Sequence, residues 1–441
     1  MTRRVFVLVL LCVQLLAAQG TLKTLTILHS NDLHAQMLPD ETDLGGFPRL
    51  ATAVRREKAN CRACLYLNAG DLVQGSPVST IYRGLPVYRV ANLLGIDAGT
   101  LGNHEFDYGW RRTREFTLIA RYPIVSANVV DERGNSITGK PYIIKNVNGI
   151  RVGIIGVVLS DLVSRAFVSR TDVEPWKVLP VVDTVRKYAH ELQGGTDLIV
   201  VLGHIHDKEE VEAILKEVPE VSVVVAGHTH AGYPQIMNVD GRVAVLVKAY
   251  GVELGRLDLQ MDVAAKKVLQ TDWKKIPIDN TIAPASGVAY AVTKWETKVS
   301  KLVDVPIGEA SERLAKPRLL ELFRQAMLET AHADFVFLDP GSLRDRDIPA
   351  GKILARQIWN ILPYDNEIVT GKFKGSRLPI ALTKGQNIDP EREYTVAATD
   401  FTAVNQSSPT QLGTTGLVFR PVGIAQRQAV IAWIRRKKVL P

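Results

Sequence analysis

The feature that most constrains the fold of this chain is an alternation, over residues 25–271, of short β-rich apolar runs with amphipathic stretches. Apolar runs of about four to eight residues are typical of buried strands, and the intervening stretches have the apolar spacing of helices with one buried face. The alternation predicts an α/β domain. Strands are expected at residues 24–28, 65–67, 124–127, 150–158, 198–202, 221–226, 243–249 and 254–261, and helices at residues 47–58, 87–94, 110–120, 181–192 and 208–217.

Five polar loops follow predicted strands and hold most of the histidines in this part of the chain. Ligands of open α/β sheets bind at the carboxyl ends of the strands, which is where these loops begin. Imidazole nitrogen combined with carboxylate or amide oxygen is a donor set for divalent metals, and seven such donors are too many for one ion. The seven candidate ligands are Asp32, His34, Asp71, Asn103, His204, His228 and His230.

Two adjacent ions need a shared ligand, and we predict that the carboxylate of Asp71 is this bridge. In such sites the ions lie about 3.5–4 Å apart, so that a water between them is deprotonated while the pair clamps a phosphoryl group. Any one of these histidines, taken alone, is more typical of a hydrogen-bonded loop residue than of a ligand. Five such loops in order along one domain favour the metal site.

The loops also form an ordered set of motifs. These are D-x-H at Asp32, GD with a following GSP at Asp71, GNHEFD from Gly102, GH at His204 and GHTH ending at His230. The set resembles that of the calcineurin-like metallophosphoesterase superfamily, and the GNHEFD form with a second domain resembles the 5′-nucleotidase family. The resemblance extends over essentially the whole chain after residue 20. It implies an α/β fold with a four-layer α-β-β-α catalytic domain, followed by a smaller α/β substrate-binding domain.

The resemblance also implies a role for each matching residue. His104 is implied to be a donor that faces the phosphoryl group, oriented by Asp107, and not a metal ligand. The cofactors are implied to be two divalent ions, for which Mn²⁺, Zn²⁺, Fe and Co²⁺ all suit the donors. One ion would be bound by Asp32, His34, Asp71 and His230, and the other by Asp71, Asn103, His204 and His228.

The C-terminal part of the chain resembles the nucleotide-binding domain of the family. Arg313 matches an arginine ahead of the first long helix, and Asp339 and Arg344 begin and end a loose match to an N-x-G-G-I-R loop. Tyr364, in a Leu-Pro-aromatic turn, and Phe401 match two rings that stack on the base in the family. Aromatic rings stack on any base, and arginine binds phosphate through two donors. Packing in the core is the alternative role for both rings.

Three departures from the family pattern concern the substrate. Asp339 stands where the family has an asparagine that meets the base, and an ionised carboxylate can only accept hydrogen bonds. Residues 404–409 lack the acidic residue that follows the second ring in the family, and the connection over residues 378–394 is shorter. We therefore expect the metal chemistry to be retained and the discrimination between bases to be weak.

The domain boundary is predicted within residues 276–305, where Pro277, Pro284 and Gly287 interrupt regular structure and a polar helical stretch follows. The catalytic domain is assigned to residues 21–275, and the substrate-binding domain to residues 306–441. In the second domain, helices are expected at residues 317–331 and 353–360, and strands at residues 367–373 and 394–398.

Residues 1–20 have the layout of a secretory signal peptide. Arg3 and Arg4 precede an apolar run over residues 5–16, and small residues at possible cleavage positions follow. An uncleaved anchor is the alternative. The pattern predicts a secreted or periplasmic protein, in which Cys61 and Cys64 form a structural disulfide or, alternatively, a redox-active pair. No later apolar run reaches the roughly 18 residues of a membrane span.

The positive charge of the chain is mild and spread along the sequence, and its distribution argues against nucleic-acid binding. Lysine and arginine outnumber aspartate and glutamate by 54 to 46, and no basic stripe interleaved with aromatic residues appears. The expected partner is a small phosphate ester, most simply a nucleotide. The alternatives are the same chemistry on a nucleotide sugar, a dinucleotide, a cyclic phosphodiester or a sulfur compound, and a non-catalytic binding protein. The complete ligand set with His104 and Asp107 argues against the binding protein.

Overall fold

The structure is a computed structural model that describes residues 22–162, 176–383, 385–404 and 418–441, so the predicted signal peptide lies outside the described residues. The chain divides into two compact units. Unit 1 comprises the described residues of Met1–Val73 and Gly84–Thr293, and unit 2 comprises those of Gln74–Arg83 and Lys294–Pro441. Within the described ranges, none of the helices combines the length and the apolar composition that crossing a bilayer requires.

Unit 1 is built around two six-stranded sheets. In the first, the strand order is β14-β13-β1-β2-β3-β4, and in the second it is β11-β12-β10-β9-β7-β6. The strands are β1 (Leu22–Ser30), β2 (Cys64–Asn68), β3 (Ala98–Thr100), β4 (Ile124–Val125), β5 (Val129–Val130), β6 (Tyr142–Val147), β7 (Ile150–Val158), β8 (Lys177–Val178), β9 (Leu198–His204), β10 (Val223–Gly227), β11 (Met237–Val239), β12 (Arg242–Val245), β13 (Glu253–Asp262) and β14 (Lys267–Pro277).

Along residues 22–277, six α-helices are interspersed with these strands in the described part of the chain. Helix α2 belongs to the segment that is grouped with unit 2. The helices are α1 (Phe47–Ala59), α2 (Pro77–Ile81), α3 (Leu85–Ala91), α4 (Trp110–Ile119), α5 (Val181–Leu192) and α6 (Glu212–Glu217).

The strands of the second sheet alternate their side chains between two cores. One core takes apolar residues from both sheets, such as Ile27 of β1 and Val200 of β9, so the sheets pack face to face. A second core joins the opposite face of the second sheet, at Val201, to α5 and α6 through residues such as Val185 and Ile214. Because successive residues of a strand point to opposite faces, one strand supplies both cores. The predicted α/β fold with helices outside two packed sheets is confirmed.

Unit 2 holds a three-stranded sheet with the order β17-β15-β21 and a four-stranded sheet with the order β16-β19-β18-β20. The strands are β15 (Pro306–Ala310), β16 (Phe335–Val336), β17 (Gly351–Leu354), β18 (Glu367–Lys374), β19 (Glu393–Thr399), β20 (Arg420–Ala425) and β21 (Val439–Leu440). The helices are α7 (Ser286–Val303), α8 (Lys316–Ala331), α9 (Ala355–Ile361), α10 (Ile380–Thr383), α11 (Asp400–Val404) and α12 (Gln426–Lys437), and α7 crosses the unit boundary at residues 293 and 294.

The strand expected at residues 243–249 ends at Val245, and two predicted helices begin differently in the structure. The helix expected at residues 353–360 begins only at Ala355, because residues 351–354 form β17 and pair with β15. The helix expected at residues 208–217 starts as a π-helical turn over Asp207–Val211 and becomes α-helical at Glu212. In both cases the apolar spacing fits a helix, and pairing or turn geometry at the start overrides it.

Cys61 and Cys64 form a disulfide. The bond closes the connection between the end of α1 and β2, the strand that leads to Asp71. The bond that both interpretations of the C-x-x-C pair require is therefore present.

His29 of β1 is a buried histidine that touches no candidate ligand. Its Nε2 accepts a hydrogen bond from Nε1 of Trp273 at 2.9 Å, and the two rings stack. On the neighbouring strand the partner in register is Gly255, where a Cβ atom would lie 2.0 Å from the His29 ring, so only glycine leaves room for it. Burial lowers the pKa of His29 to about 3, so the ring stays neutral in the folded protein.

This burial makes the stability of unit 1 sensitive to acid. Because the pKa is 6.5 unfolded and about 3 folded, the unfolded state binds more protons, and stability falls as the pH drops below 6.5. Relative to His29→Gln, whose amide oxygen can still accept from Trp273, the metal-free wild type is expected to lose about 2 kcal/mol more between pH 7 and pH 5. Urea unfolding at both pH values measures this difference. Equal losses in the two proteins would contradict it.

Candidate metal centre

The carboxyl ends of five strands bring the predicted ligands together in unit 1. Strands β1, β2 and β3 are parallel neighbours in one sheet, and β9 and β10 are parallel neighbours in the other. The loops after these ends carry six of the seven predicted ligands, and the seventh, His204, is the last residue of β9. The sheet topology thus explains why residues spread over some 200 positions of sequence meet in one place.

Two buried carboxylates form the middle of this cluster. The Oδ1 atom of Asp32 lies 3.8 Å from Nε2 of His34 and 3.5 Å from Nε2 of His230. The Oδ2 atom of Asp71 lies 3.8 Å from Nε2 of His34 and 3.1 Å from Nε2 of His204. Two groups, Asp32 with His34 and His230 and Asp32 with Asp71 and His204, each have ligand atoms within 4.8 Å of one another. Asp32 is common to both groups, so the bridging role of Asp71 stays a prediction.

The other two predicted ligands lie beside His204. The Oδ1 atom of Asn103 is 3.2 Å from Nε2 of His204, and the ring centroid of His228 is 5.3 Å from that of His204. His228 supplies no atom to either compact group. Burial and repulsion from His204 lower the pKa of His228 to about 3, which favours the neutral form that a metal ligand requires.

The histidines are oriented as metal ligands usually are. Nδ1 of His204 faces the carbonyl oxygen of Ala69 at 2.9 Å, and Nδ1 of His34 faces that of Val73 at 3.3 Å. A proton on Nδ1 leaves the Nε2 lone pair directed into the cluster, which is the arrangement by which a second hydrogen bond fixes the tautomer of a ligand. The Nε2 atoms of His34 and His230 are 3.0 Å apart, close enough to bind one ion.

The cluster contains buried negative charge that bound cations would neutralise. Burial works to raise the pKa of Asp71, yet the attraction of His204 and His104 holds that pKa well below its usual value. In turn, although burial opposes it, Asp71 and Asp32 raise the pKa of His204 to about 10. Two buried carboxylates therefore draw a proton onto an imidazole that has the position of a ligand. Divalent cations would supply this charge and release the proton, so the residues fit the two ions that the sequence implies.

The backbone of the ligand loops is held in a conformation that side chains rarely adopt. Four candidate ligands have left-handed φ angles, which are 49° for Asp32, 44° for His34, 51° for Asp71 and 83° for His228. Such residues cost about 1–3 kcal/mol each and cluster at functional sites. Close packing adds a second constraint at Gly102, because a Cβ atom there would lie 2.0 Å from Oδ1 of Asp71. The glycine of the GNHEFD motif is therefore required by the position of the carboxylate.

Glu105 is a supporting residue of the cluster that the sequence reasoning missed. Its buried carboxylate accepts hydrogen bonds from the backbone N–H groups of Gly102 at 2.6 Å, Leu72 at 2.9 Å and Asp71 at 3.0 Å. Burial and the nearby charge of Asp71 raise its pKa to about 7. Glu105 thus joins the loop of Asp71 to the loop of Asn103. An acidic residue inside the GNHEFD motif without a ligand role was the signal available in the sequence.

His104 and Asp107 form a hydrogen-bonded pair at the edge of the cluster. Nδ1 of His104 donates to Oδ2 of Asp107 at 2.7 Å, and the backbone N–H of His104 donates to Oδ1 of Asp71 at 2.9 Å. The Nε2 atom of His104 lies 4.0 Å from Oδ2 of Asp71. The arrangement is that of a histidine whose tautomer is set by a carboxylate, with the other nitrogen turned towards the ligands.

In unit 2, the predicted substrate-binding residues have different surroundings. The exposed Arg313 pairs with Asp347, whereas the buried Arg344 donates to the side chain of Gln74 and lies 5.7 Å from the ring of Tyr364. The structure therefore brings Arg344 and Tyr364 together.

The remaining predicted residues of unit 2 are Asp339 and Phe401. The carboxylate of Asp339 accepts the N–H of Gly341 at 2.8 Å and caps a short 3₁₀ turn. Tyr364 and Phe401 are both partly buried, and neither belongs to the hydrophobic cores found among the described residues of unit 2. Residues 405–409 of the segment that departs from the family lie outside the described residues.

Comparisons with known proteins match this architecture. The family model of the calcineurin-like phosphoesterases matches residues 25–232, and that of the C-terminal domain of 5′-nucleotidases matches residues 298–387. A snake venom 5′-nucleotidase from Gloydius brevicauda is 31% identical over 425 residues, which cover 83% of this chain and 71% of the venom protein. Endonuclease YhcR from Bacillus subtilis is 25% identical over 92% of this chain, which spans only 38% of that longer protein.

A solved structure has the same fold. The 5′-nucleotidase precursor from Thermus thermophilus aligns with a TM-score of 0.82 and 23% sequence identity, over 95% of this chain and 97% of the other. At this level of identity the likeness concerns the fold. It extends over both units of the chain.

Proposed function

The chain belongs to the 5′-nucleotidase family of calcineurin-like phosphoesterases, a family of phosphate-ester hydrolases, and from this premise we propose that it is an exported enzyme that hydrolyses nucleotides with two divalent ions. The observation that carries the proposal is the convergence of two buried carboxylates and the Nε2 atoms of His34, His204 and His230 in one cluster. The signal-like pattern of residues 1–20 supports export.

The seven clustered residues would hold the ions. Asp32, His34, Asp71 and His230 would bind one ion, and Asp71, Asn103, His204 and His228 the other. When bound, such a pair lowers the pKa of a coordinated water, which serves as the nucleophile, and neutralises charge on the phosphoryl group. The donor chemistry and the electrostatic demand described above support this assignment.

His104 would act on the phosphoryl group or on the leaving oxygen. Asp107 accepts the proton on Nδ1 of His104, and in the imidazolium form of the ring Nε2 carries a second proton that it can donate to an ester placed at the cluster. Donation to the leaving oxygen or stabilisation of developing negative charge both need this orientation. Glu105 would hold the Asp71 and Asn103 loops in fixed relative positions during the reaction.

Unit 2 would recognise the nucleoside. Tyr364 and Phe401 are partly buried rings outside its cores, and such rings can stack on a base. Arg344 and Arg313 would supply cationic donors. Because Asp339 replaces an asparagine of the family pattern and already accepts the N–H of Gly341, it would offer the base edge little specific recognition.

A substrate panel tests the proposal. With Mn²⁺ present, phosphate release is measured for AMP, CMP, UMP and p-nitrophenyl phosphate. A dinucleotide, a cyclic nucleotide and a thiosulfate-type ester represent the alternatives, and their products are separated by chromatography because their first hydrolysis releases no phosphate. We expect hydrolysis of all three monophosphates with kcat/KM values within about tenfold of one another. Hydrolysis of p-nitrophenyl phosphate without hydrolysis of any of the three nucleotides would contradict the nucleotidase proposal. The protein would then be a phosphoesterase of other specificity.

Phe401→Ala is expected to raise KM for AMP by about 5- to 150-fold, since stacking on an aromatic ring contributes roughly 1–3 kcal/mol per base. The turnover of p-nitrophenyl phosphate should change little, because it has no base to stack. Phe337→Ala, which removes a ring packed against the smaller core of unit 2, is the control for a folding defect. An equal loss on both substrates in Phe401→Ala would make Phe401 a packing residue.

A further inference from the structure

Arg427 is a buried cation that no motif of the sequence points to. It lies in the first turn of α12 and is only 4% exposed. Its guanidinium carbon is 3.7 Å from the ring centroid of Trp359. Burying a charged group is unfavourable unless it is fully engaged in hydrogen bonds. The hydrogen-bond partners of Arg427 therefore indicate its role.

Those partners lie in one short turn of unit 2. Nη1 of Arg427 donates to the carbonyl oxygens of Leu362 and Tyr364, each at 2.8 Å. Nη2 donates to the carboxylate of Asp365. One planar guanidinium thus binds the backbone on both sides of Pro363 and the side chain that follows Tyr364. Because its donors are fixed in a rigid fork, this set of bonds permits few conformations of the turn.

The end of this turn is joined to the segment that carries Phe401. The N–H of Gln426, next to Arg427, donates to the carbonyl oxygen of Asn366 at 2.8 Å. The Oδ1 atom of Asp400 accepts the N–H of Glu367 at 3.0 Å and that of Phe401 at 2.8 Å. The backbone segments of both predicted stacking rings are therefore held in one hydrogen-bonded frame.

We propose that Arg427 is a positioning residue for nucleoside binding, which fixes the turn of Tyr364 so that its ring is oriented before the base arrives. The inference rests on the proposed function. Leu362 belongs to the larger core of unit 2, whereas Tyr364 and Asp365 lie outside both cores found among its described residues. Two of the three donations of Arg427 therefore hold residues that core packing does not place. A ring oriented in advance loses less conformational freedom on binding, which strengthens affinity without a new contact to the ligand. Asp400 has the corresponding role for Phe401.

The test compares Arg427→Met, Arg427→Lys and Asp400→Ala with wild type, using AMP and p-nitrophenyl phosphate. Arg435→Met is the matched control, because Arg435 is exposed in the last turn of the same helix. Arg427→Met is expected to raise KM for AMP about 5- to 50-fold with kcat changed less than about threefold, and to leave kcat/KM for p-nitrophenyl phosphate within about twofold. Arg427→Lys should recover part of the loss, Asp400→Ala, which removes the acceptor of the Glu367 and Phe401 N–H groups, should raise KM for AMP, and Arg435→Met should behave as wild type.

Equal effects on the two substrates, or an unchanged KM for AMP, would overturn the inference, because a purely structural role predicts no difference between them. If Arg427→Met does not yield folded protein, the same criterion applies to Arg427→Lys, which keeps the charge but lacks the fork that reaches both carbonyls. A wild-type protein that does not hydrolyse AMP would instead reject the proposed function, and the inference with it. These outcomes separate the two claims.

Discussion

Asp71→Asn is expected to lose metal from both positions and to lower kcat on p-nitrophenyl phosphate by several orders of magnitude. The reason is the position of Asp71, whose Oδ2 atom lies within 4 Å of the Nε2 atoms of His34 and His204, the candidate ligands of different ions. A neutral amide is a weaker ligand than a carboxylate and removes one negative charge from between two cations. Metal content by plasma mass spectrometry, measured together with turnover, checks the prediction.

Two controls make this result interpretable. Asp240→Asn makes the same chemical change at an exposed turn of unit 1, where the Asp240 side chain is 86% exposed, and it should retain both ions and full turnover. Asp32→Asn addresses the other central carboxylate, which belongs to both compact ligand groups. If Asp71→Asn keeps two ions and near-normal turnover while Asp32→Asn loses both, Asp32 is the bridge and the assignment of Asp71 is wrong.

His104→Asn is expected to keep both ions and to lower kcat by about 10²- to 10⁴-fold, the range for a positioned proton donor or charge stabiliser. His104 lies beside the ligands, and its Nδ1 is taken up by Asp107 at 2.7 Å. Asparagine retains the backbone N–H that donates to Asp71, so the ligand loop should keep its conformation. The comparison is kcat against metal content, with His190→Asn on the exposed surface of α5 as the control.

Loss of metal in His104→Asn would place His104 among the ligands and refute its role as a donor. A change confined to KM would also argue against that role, since losing an interaction made in the transition state lowers kcat. Asp107→Asn should produce a smaller decrease in kcat than His104→Asn, because it alters the tautomer and orientation of the ring but leaves the imidazole in place.

The parts of the site that could be predicted from sequence are those whose chemistry is carried by rare residue types. Histidine and aspartate after successive apolar runs indicated the strand ends, and the parallel order of β1, β2 and β3 and of β9 and β10 places those loops together. The prediction depended on residue type and strand order, and it needed no knowledge of the distances between the side chains.

The supporting residues were missed because their partners are backbone groups. Glu105 binds N–H groups of the loop at residues 71–73, and Arg427 binds the carbonyl oxygens of Leu362 and Tyr364. Backbone groups look the same at every position of a sequence, so no motif shows which of them a distant side chain will meet. Strand β14 was missed for a different reason. Its residues are exposed or half-buried and form no apolar run that would predict a strand.

The most direct test of the central claim is a titration of metal-free protein with Mn²⁺ while phosphate release from AMP is followed. We predict no turnover without metal and activity that reaches its maximum at two equivalents of Mn²⁺ per chain, because seven clustered candidate ligands, two of them buried carboxylates, offer enough donors for two ions. Turnover of AMP by the metal-free protein, or a maximum reached at one equivalent, would contradict the account.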